Sequence, residues 1–227
     1  MSGRAAPEVP TPTPEPSRPV RRMPLARRFI KALLGTYMRL YHGLVLEGAE
    51  NVPPHGPVLV LLNHASLLDV PALMVVDPYP DTVTVVKASL FKVPLLPWFL
   101  NQWNAIPVER QGRDSTSVRA MLAILRAGGV VTIAAEGRRT RSGRLEPINP
   151  VLARIAVSAD VPILPVGIRG SFDALPPGAR LPRRRQIVVR AGRPFRLERG
   201  MDVAAAAARI RREIAALLPA EMQPLDD

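Results

Sequence analysis

Two residues of this chain have the types and spacing for proton-transfer chemistry: His64 and Asp69, in the run Asn63-His64-Ala65-Ser66-Leu67-Leu68-Asp69. Histidine exchanges a proton near neutral pH. A carboxylate beside it fixes the ring tautomer and stabilises the cation, so the pair suits general-base work on a hydroxyl. Ser66 offers a hydroxyl next to the histidine as an alternative nucleophile, although nothing else in the sequence suggests a hydrolase triad.

The two side chains can meet only in a particular backbone setting. Five residues along a regular helix would turn Asp69 roughly 140° away from His64, so the chain between them must not be helical. Pro71 supports this, because proline is tolerated in the first helical turn and not deeper. A helix beginning near Asp69 leaves residues 64 to 68 as a turn that folds His64 back. The competing reading is a capping box from Ser66 to Asp69, with His64 a solvated loop residue. It would place Pro71 at the fifth helical position and remove a backbone bond.

Upstream, the apolar run Val58-Leu59-Val60-Leu61-Leu62 behind Pro57 reads as a buried strand, which puts His64 at its C-terminal end. In open α/β sheets, ligands bind at that edge. Other strand candidates are residues 44 to 47, 83 to 86, 105 to 108, 130 to 134, 163 to 168 and 186 to 190. Helices are expected near 70 to 76, 89 to 101, 114 to 127, 150 to 159 and 202 to 218, the last alanine-rich with Ile210, Ile214 and Leu217 on one side. Strands separated by helices predict an α/β fold, with helices flanking a mixed, largely parallel sheet. There is no internal repeat, and neither a dinucleotide-binding glycine motif nor a P-loop occurs.

Length and composition bound the rest. A chain of 227 residues with 47% apolar content can form one domain with a real core. It has no cysteine, which excludes disulfides, thiolate catalysis and cysteine-based zinc sites. Its histidines are His42, His55 and His64, too few for a multi-histidine metal site, and no metal ligands are assigned. The formal net charge of +12 calls for a polyanionic neighbour, either nucleic acid or an anionic membrane surface. Arginine supplies nearly all of it: lysine occurs only at 31, 87 and 92, which singles out Lys87.

Three segments follow. Residues 1 to 22 begin with prolines at 7, 10, 12, 14, 16 and 19 and are expected to be a disordered, extended tail with no secretory signal core. Residues 23 to 43 read as an amphipathic helix, with Leu25, Phe29, Leu33, Tyr37 and Leu40 at helical spacing and Arg28, Lys31, Arg39 and His42 on another side. A bilayer span needs about 20 uninterrupted apolar residues. The charges at 27, 28, 31 and 39 interrupt this one, so it is expected to lie in a membrane interface. Residues 44 to 227 form the main domain.

Four stretches in order carry a family resemblance. Asn63-His64-x-Ser66-x-x-Asp69, with its His-x4-Asp spacing, resembles the first motif of the glycerolipid acyltransferases of the lysophosphatidic acid acyltransferase type. Lys87-Ala88-Ser89-Leu90-Phe91, with Pro94, Trp98 and Ala105-Ile106-Pro107-Val108-Glu109-Arg110, resembles the second block. Glu136-Gly137-Arg138-Arg139-Thr140-Arg141-Ser142-Gly143-Arg144-Leu145 is similar to the third, and Val161-Pro162-Ile163-Leu164-Pro165-Val166-Gly167-Ile168 to the fourth. The resemblance runs over about residues 44 to 200. Two departures stand out: Ala134-Ala135 where the family usually has Phe-Pro, and Ile148-Asn149-Pro150-Val151 where it commonly has Phe-Lys-x-Gly.

The resemblance implies that Arg110 and Arg139, and with them Lys87, bind the acceptor phosphate, a role that suits arginine's planar fork and lysine's point charge. It implies for Glu136 either acceptor binding or ordering of the loop. Gly137 permits a close backbone approach. The activity so implied is transfer of a fatty acyl group from a thioester, acyl-CoA or acyl carrier protein, to the free hydroxyl of a lysophospholipid, above all 1-acyl-sn-glycerol 3-phosphate. The product would be phosphatidic acid, made on the cytoplasmic face of a membrane by a peripheral enzyme. His64 would act as general base and Asp69 would orient it; no metal, cofactor or covalent intermediate is required. Alternatives are the same chemistry on glycerol 3-phosphate or a lyso-amino-lipid, or a non-catalytic basic module for membrane or nucleic acid. An aromatic content of 4% argues against base stacking, and no nucleic acid is expected as partner.

Overall fold

The computed structural model describes residues 25–108 and 115–224. The tail expected at 1 to 22 and the candidate ligand Arg110 lie outside the described residues.

The chain opens with helix α1 (Leu25–His42) and strand β1 (Val45–Glu47), followed by β2 (Val58–Leu62) and α2 (Asp69–Val76). Next come β3 (Val83–Lys87), α3 (Leu96–Gln102), β4 (Ile106–Val108), α4 (Ser115–Arg126) and β5 (Val130–Ala134). The remainder comprises α5 (Pro150–Ala159), β6 (Ile163–Arg169), a four-residue α6 (Ser171–Ala174), β7 (Val188–Ala191) and α7 (Val203–Ala215). The seven strands form one sheet in the order β1-β7-β6-β2-β5-β3-β4, parallel throughout except where β6 meets β7. The expected mixed, largely parallel sheet flanked by helices is the observed one.

Every residue of β2 is buried, as a central parallel strand covered on both faces requires. Its side chains alternate between two cores. Leu59 and Leu61 join Val131, Ile133 and Ile163 under α4, α5 and α7. Val58, Val60 and Leu62 join Leu164, Val166 and Ile168 under α1 and α2.

This topology defines the functional edge. Strands β2, β3, β4, β5 and β6 are mutually parallel, so all five end at one side of the sheet. Residues following Leu62, Lys87, Ala134 and Arg169 therefore share that edge. Because β7 runs against β6 and β1 runs with β7, the segments leading into β7 and β1, including the end of α1, reach it too.

Two elements differ from expectation. The helix expected over 89 to 101 is split into a 3₁₀ turn (Ala88–Lys92) and α3. Pro94 disfavours helical backbone at the residue before it, and Val93 is extended (φ −83°, ψ 128°), so the break is local and covalent in origin. The short α6 was not foreseen, since one turn carries no periodicity.

Helix α1 is present, with its apolar side turned outward. Its apolar stripe, Leu25, Phe29, Leu33 and Leu40, stands 63–81% exposed. The other side faces the domain: Met38 and His42 are buried, Arg27 donates to the Pro80 carbonyl, and Lys31 Nζ donates to the Asp77 carbonyl at 2.6 Å. Part of the basic side is thus the anchoring side. Carbonyls past the end of α2 supply the acceptors that make its burial tolerable.

Candidate active site

The turn after β2 is built around Asp69. As the first residue of α2 it lies wholly buried, and its Oδ2 accepts the backbone N–H groups of Ala65 (2.7 Å) and Ser66 (2.8 Å). His64 Nδ1 completes the set at 2.9 Å from the same oxygen. The non-helical turn expected from Pro71 is observed, with Pro71 in the first turn of α2. The reciprocal bonds of a capping box are present as well, Asp69 accepting Ser66 N–H and Ser66 Oγ accepting Leu68 N–H, but Asp69 does not serve the helix start alone, because the same oxygen holds His64.

With Nδ1–H donated to Asp69, Nε2 is the ring nitrogen left to accept a proton, and the His64 side chain is 18% exposed. Ser66 Oγ donates to the Leu175 carbonyl at 2.8 Å and accepts the Leu68 N–H at 3.2 Å. Its proton is directed away from the histidine, which argues against the nucleophile reading.

Two further contacts hold the histidine's backbone. His64 N–H donates to Glu136 Oε2 at 3.2 Å, and its carbonyl accepts Thr140 N–H at 2.8 Å. The other Glu136 oxygen accepts Glu146 N–H at 3.1 Å, so this carboxyl joins the His64 turn to the 136 to 146 loop. Burial pushes the Glu136 carboxyl up to about 8 against the two N–H donors, which favour its charged form. Of the two tasks the resemblance left open for Glu136, loop ordering is the one its hydrogen bonds perform.

Gly137 follows with φ +73°, and a Cβ there would stand 2.8 Å from Asn149 Nδ2. Asn149 replaces the family's usual pattern with a helix start. Its N–H donates to the Ala135 carbonyl, its Oδ1 accepts Val151 N–H at 2.9 Å, and Pro150 opens α5. Asn63 was quoted in the motif but given no role. Buried at the end of β2, it donates to the Ile168 carbonyl (3.0 Å) and accepts Ile168 N–H (2.7 Å), extending the β2–β6 pairing by one side chain. Its signal in the sequence was a polar residue closing an apolar strand.

Two of the candidate phosphate ligands, Lys87 and Arg139, fall on the same edge. Lys87 ends β3, exposed. Arg139 lies half-buried in the loop ordered by Glu136. Neither side chain has a partner among the described residues. Arg138, by contrast, is exposed and paired with Glu146 at 2.8 Å.

A family model described as "Acyltransferase" matches residues 43–169. A chloroplastic 1-acyl-sn-glycerol-3-phosphate acyltransferase of Brassica napus is 26% identical over 137 residues, 59% of this chain and 39% of that protein. The Bacillus subtilis protein of that name is 26% identical over 63% of this chain and 71% of its own length. The sheep alpha form is 30% identical over 60% and 49%. The match thus spans well under two thirds of the Brassica and sheep proteins. Among solved structures, the Thermotoga maritima 1-acyl-sn-glycerophosphate (LPA) acyltransferase PlsC superposes with a TM-score of 0.70 at 22% identity, covering 85% of this chain and 80% of that one. With the family model covering more than half of its length, the chain belongs to the Acyltransferase family.

Proposed function

We propose that this protein transfers a fatty acyl group from a thioester donor to the free hydroxyl of 1-acyl-sn-glycerol 3-phosphate, yielding phosphatidic acid. The observation that carries the reading is the closed His64–Asp69 pair at the strand edge, with Nε2 left to receive a proton. The names of the relatives support the choice of acceptor.

In this mechanism His64 Nε2 removes the acceptor's hydroxyl proton as the oxygen attacks the thioester carbonyl. Asp69 stabilises the imidazolium that forms. Collapse of the tetrahedral intermediate breaks the C–S bond, and the proton passes from His64 to the departing thiolate. A positioned general base of this kind contributes about 10²–10⁴ in rate. Lys87 and Arg139, with Arg110, would hold the acceptor phosphate, and the net positive charge suits acidic donors such as coenzyme A or acyl carrier protein.

The exposed stripe of α1 supports work at a membrane surface, on the cytoplasmic face as a peripheral protein. Each large apolar side chain moved from water into an apolar medium is worth about 1.5–3 kcal/mol. No described helix is long and apolar enough to cross a bilayer. The test is acyl transfer by the purified protein to a panel of lysolipids with labelled acyl donors. Turnover is expected with 1-acyl-sn-glycerol 3-phosphate and lost in His64→Ala. A preference for an acceptor without phosphate would overturn the acceptor assignment and favour a lyso-amino-lipid.

A further inference from the structure

The segment between α6 and β7 carries four arginines, Arg180, Arg183, Arg184 and Arg185, around Leu181, which is 80% exposed. We infer that this loop is a second membrane contact that binds the phosphate headgroups of anionic phospholipids; the inference rests on the peripheral-membrane reading above.

The first observation is charge left uncompensated. Some surface arginines meet carboxylates, as Arg138 meets Glu146 and Arg209 meets Glu213, and single ones such as Arg126, Arg154 and Arg193 do not among the described residues; the loop differs in gathering four unpaired arginines within residues 180 to 185. Among the described residues, none of the four loop guanidinium groups has a carboxylate within ion-pair distance, and all four are exposed. Between Gly170 and Gln186, Asp173 is the sole acidic residue. Like charges crowded on a short loop repel one another, and an external anion relieves the repulsion.

The second observation is placement. The loop leads into β7 and therefore lies at the strand edge that carries His64. Tyr41 Oη donates to the Pro182 carbonyl (3.1 Å), and Ile187 N–H donates to the His42 carbonyl (3.0 Å). Both bonds bind the loop to the C-terminal end of α1, whose exposed Leu40 carries the apolar stripe up to it. Leu181, flanked in sequence by arginines, is thus an exposed apolar tip on a loop fixed to the end of α1. Such a surface suits a bilayer interface, where acyl chains lie beneath phosphates. On its other flank, Arg183 N–H donates to the Ala174 carbonyl and Ser66 Oγ to the Leu175 carbonyl, which connects the loop's base to the catalytic turn. A surface cavity of about 270 Å³ lined by Phe172, Asp173, Pro176, Arg183 and Arg185 lies between α6 and the loop, where a headgroup can enter. An acidic carrier protein would also answer the charge, but it leaves the exposed leucine and its continuity with α1 without purpose.

The test is vesicle co-sedimentation of the full chain on phosphatidylcholine alone and on phosphatidylcholine with phosphatidylglycerol. The first variant carries Arg180→Gln, Arg183→Gln, Arg184→Gln and Arg185→Gln together; the second carries lysine at the same four positions; the third carries Phe29→Ser and Leu33→Ser on α1. A basic residue near an anionic leaflet is worth about fivefold in affinity, so removing four of them should weaken binding of the glutamine variant to phosphatidylglycerol vesicles by about 600-fold. It should also lose the wild type's preference for them, whereas the lysine variant should keep most of it. Raising the salt should erase the difference between wild type and glutamine variant. An undiminished phosphatidylglycerol preference in the glutamine variant overturns the inference. So does a lysine variant as weak as the glutamine one, or a glutamine variant defective only in its Michaelis constant for acyl carrier protein. The α1 variant separates the two readings: if it binds both vesicle types as the wild type does, the α1 membrane contact fails, while the loop is judged by the charge preference alone.

Discussion

Glu136 accepts the backbone N–H of His64 at 3.2 Å across 72 residues of sequence, and with its second oxygen holds Glu146 N–H at 3.1 Å. The contact makes the third-block glutamate a brace for the histidine's main chain. A buried carboxyl in this position has a thermodynamic signature that a solvent-facing ligand would lack.

Burial raises the Glu136 carboxyl from its ordinary 4.5 to about 8. Between those values the native state holds a proton that the unfolded chain releases, so this group's contribution to stability is complete below about 4.5 and declines as pH rises towards 8. The slope from one group is at most about 1.4 kcal/mol per pH unit. Glu136→Gln should flatten that part of the stability profile, measured by denaturant unfolding at several pH values. It should also lower turnover, because an amide nitrogen cannot accept one of the two N–H groups. An unchanged slope would remove Glu136 from the interior role assigned to it.

His64→Ala should abolish turnover with little loss of stability, since the ring sits at a strand-end loop. Asp69→Asn can keep an acceptor for the two backbone donors while losing the charge that stabilises the imidazolium, so the fold should survive with kcat reduced by about 10²–10⁴. Asp69→Ala should instead destabilise, as two buried N–H groups lose their partner at about 1–3 kcal/mol each. Melting temperatures and kcat for the three variants check this ordering.

Ser66→Ala should cost about 1–2 kcal/mol, through the lost bonds to Leu175 and Leu68, and change turnover only a few-fold. Loss of activity as complete as in His64→Ala, or a trapped acyl-serine by mass spectrometry, would make Ser66 the nucleophile.

Arg139→Ala should raise the Michaelis constant for the acceptor at least about tenfold with the donor's nearly unchanged, which marks a binding contact distinct from the chemistry. Arg139→Lys should recover part, keeping charge without the fork. Arg138→Ala is the control: an exposed pair with Glu146 is worth under about 1 kcal/mol. Equal effects at 138 and 139 would show a general charge requirement.

What was legible in the sequence was whatever short-range covalent geometry and periodicity dictate. The apolar run Val58–Leu62 could hardly be anything but an interior strand, and Pro71 alone places the start of α2 close enough to Asp69 for the turn to close on His64. The family motifs added residue types in order, and the strand edge followed from the alternation of strands and helices. Tertiary structure decided what depends on partners far along the chain. The sheet order and the reversal at β7 are of this kind, as are the brace from Glu136 to His64 and the Asn63–Ile168 pairing, which join residues 72 and 105 positions apart. Nothing local in either partner encodes the other. Helix α1 shows the same division: periodicity located its apolar stripe, but carbonyls past the end of α2, near residues 77 to 80, determined that the opposite side would pack inward and leave the stripe facing out. A periodic pattern specifies that a helix has two faces, and only the surface it meets selects which one is buried.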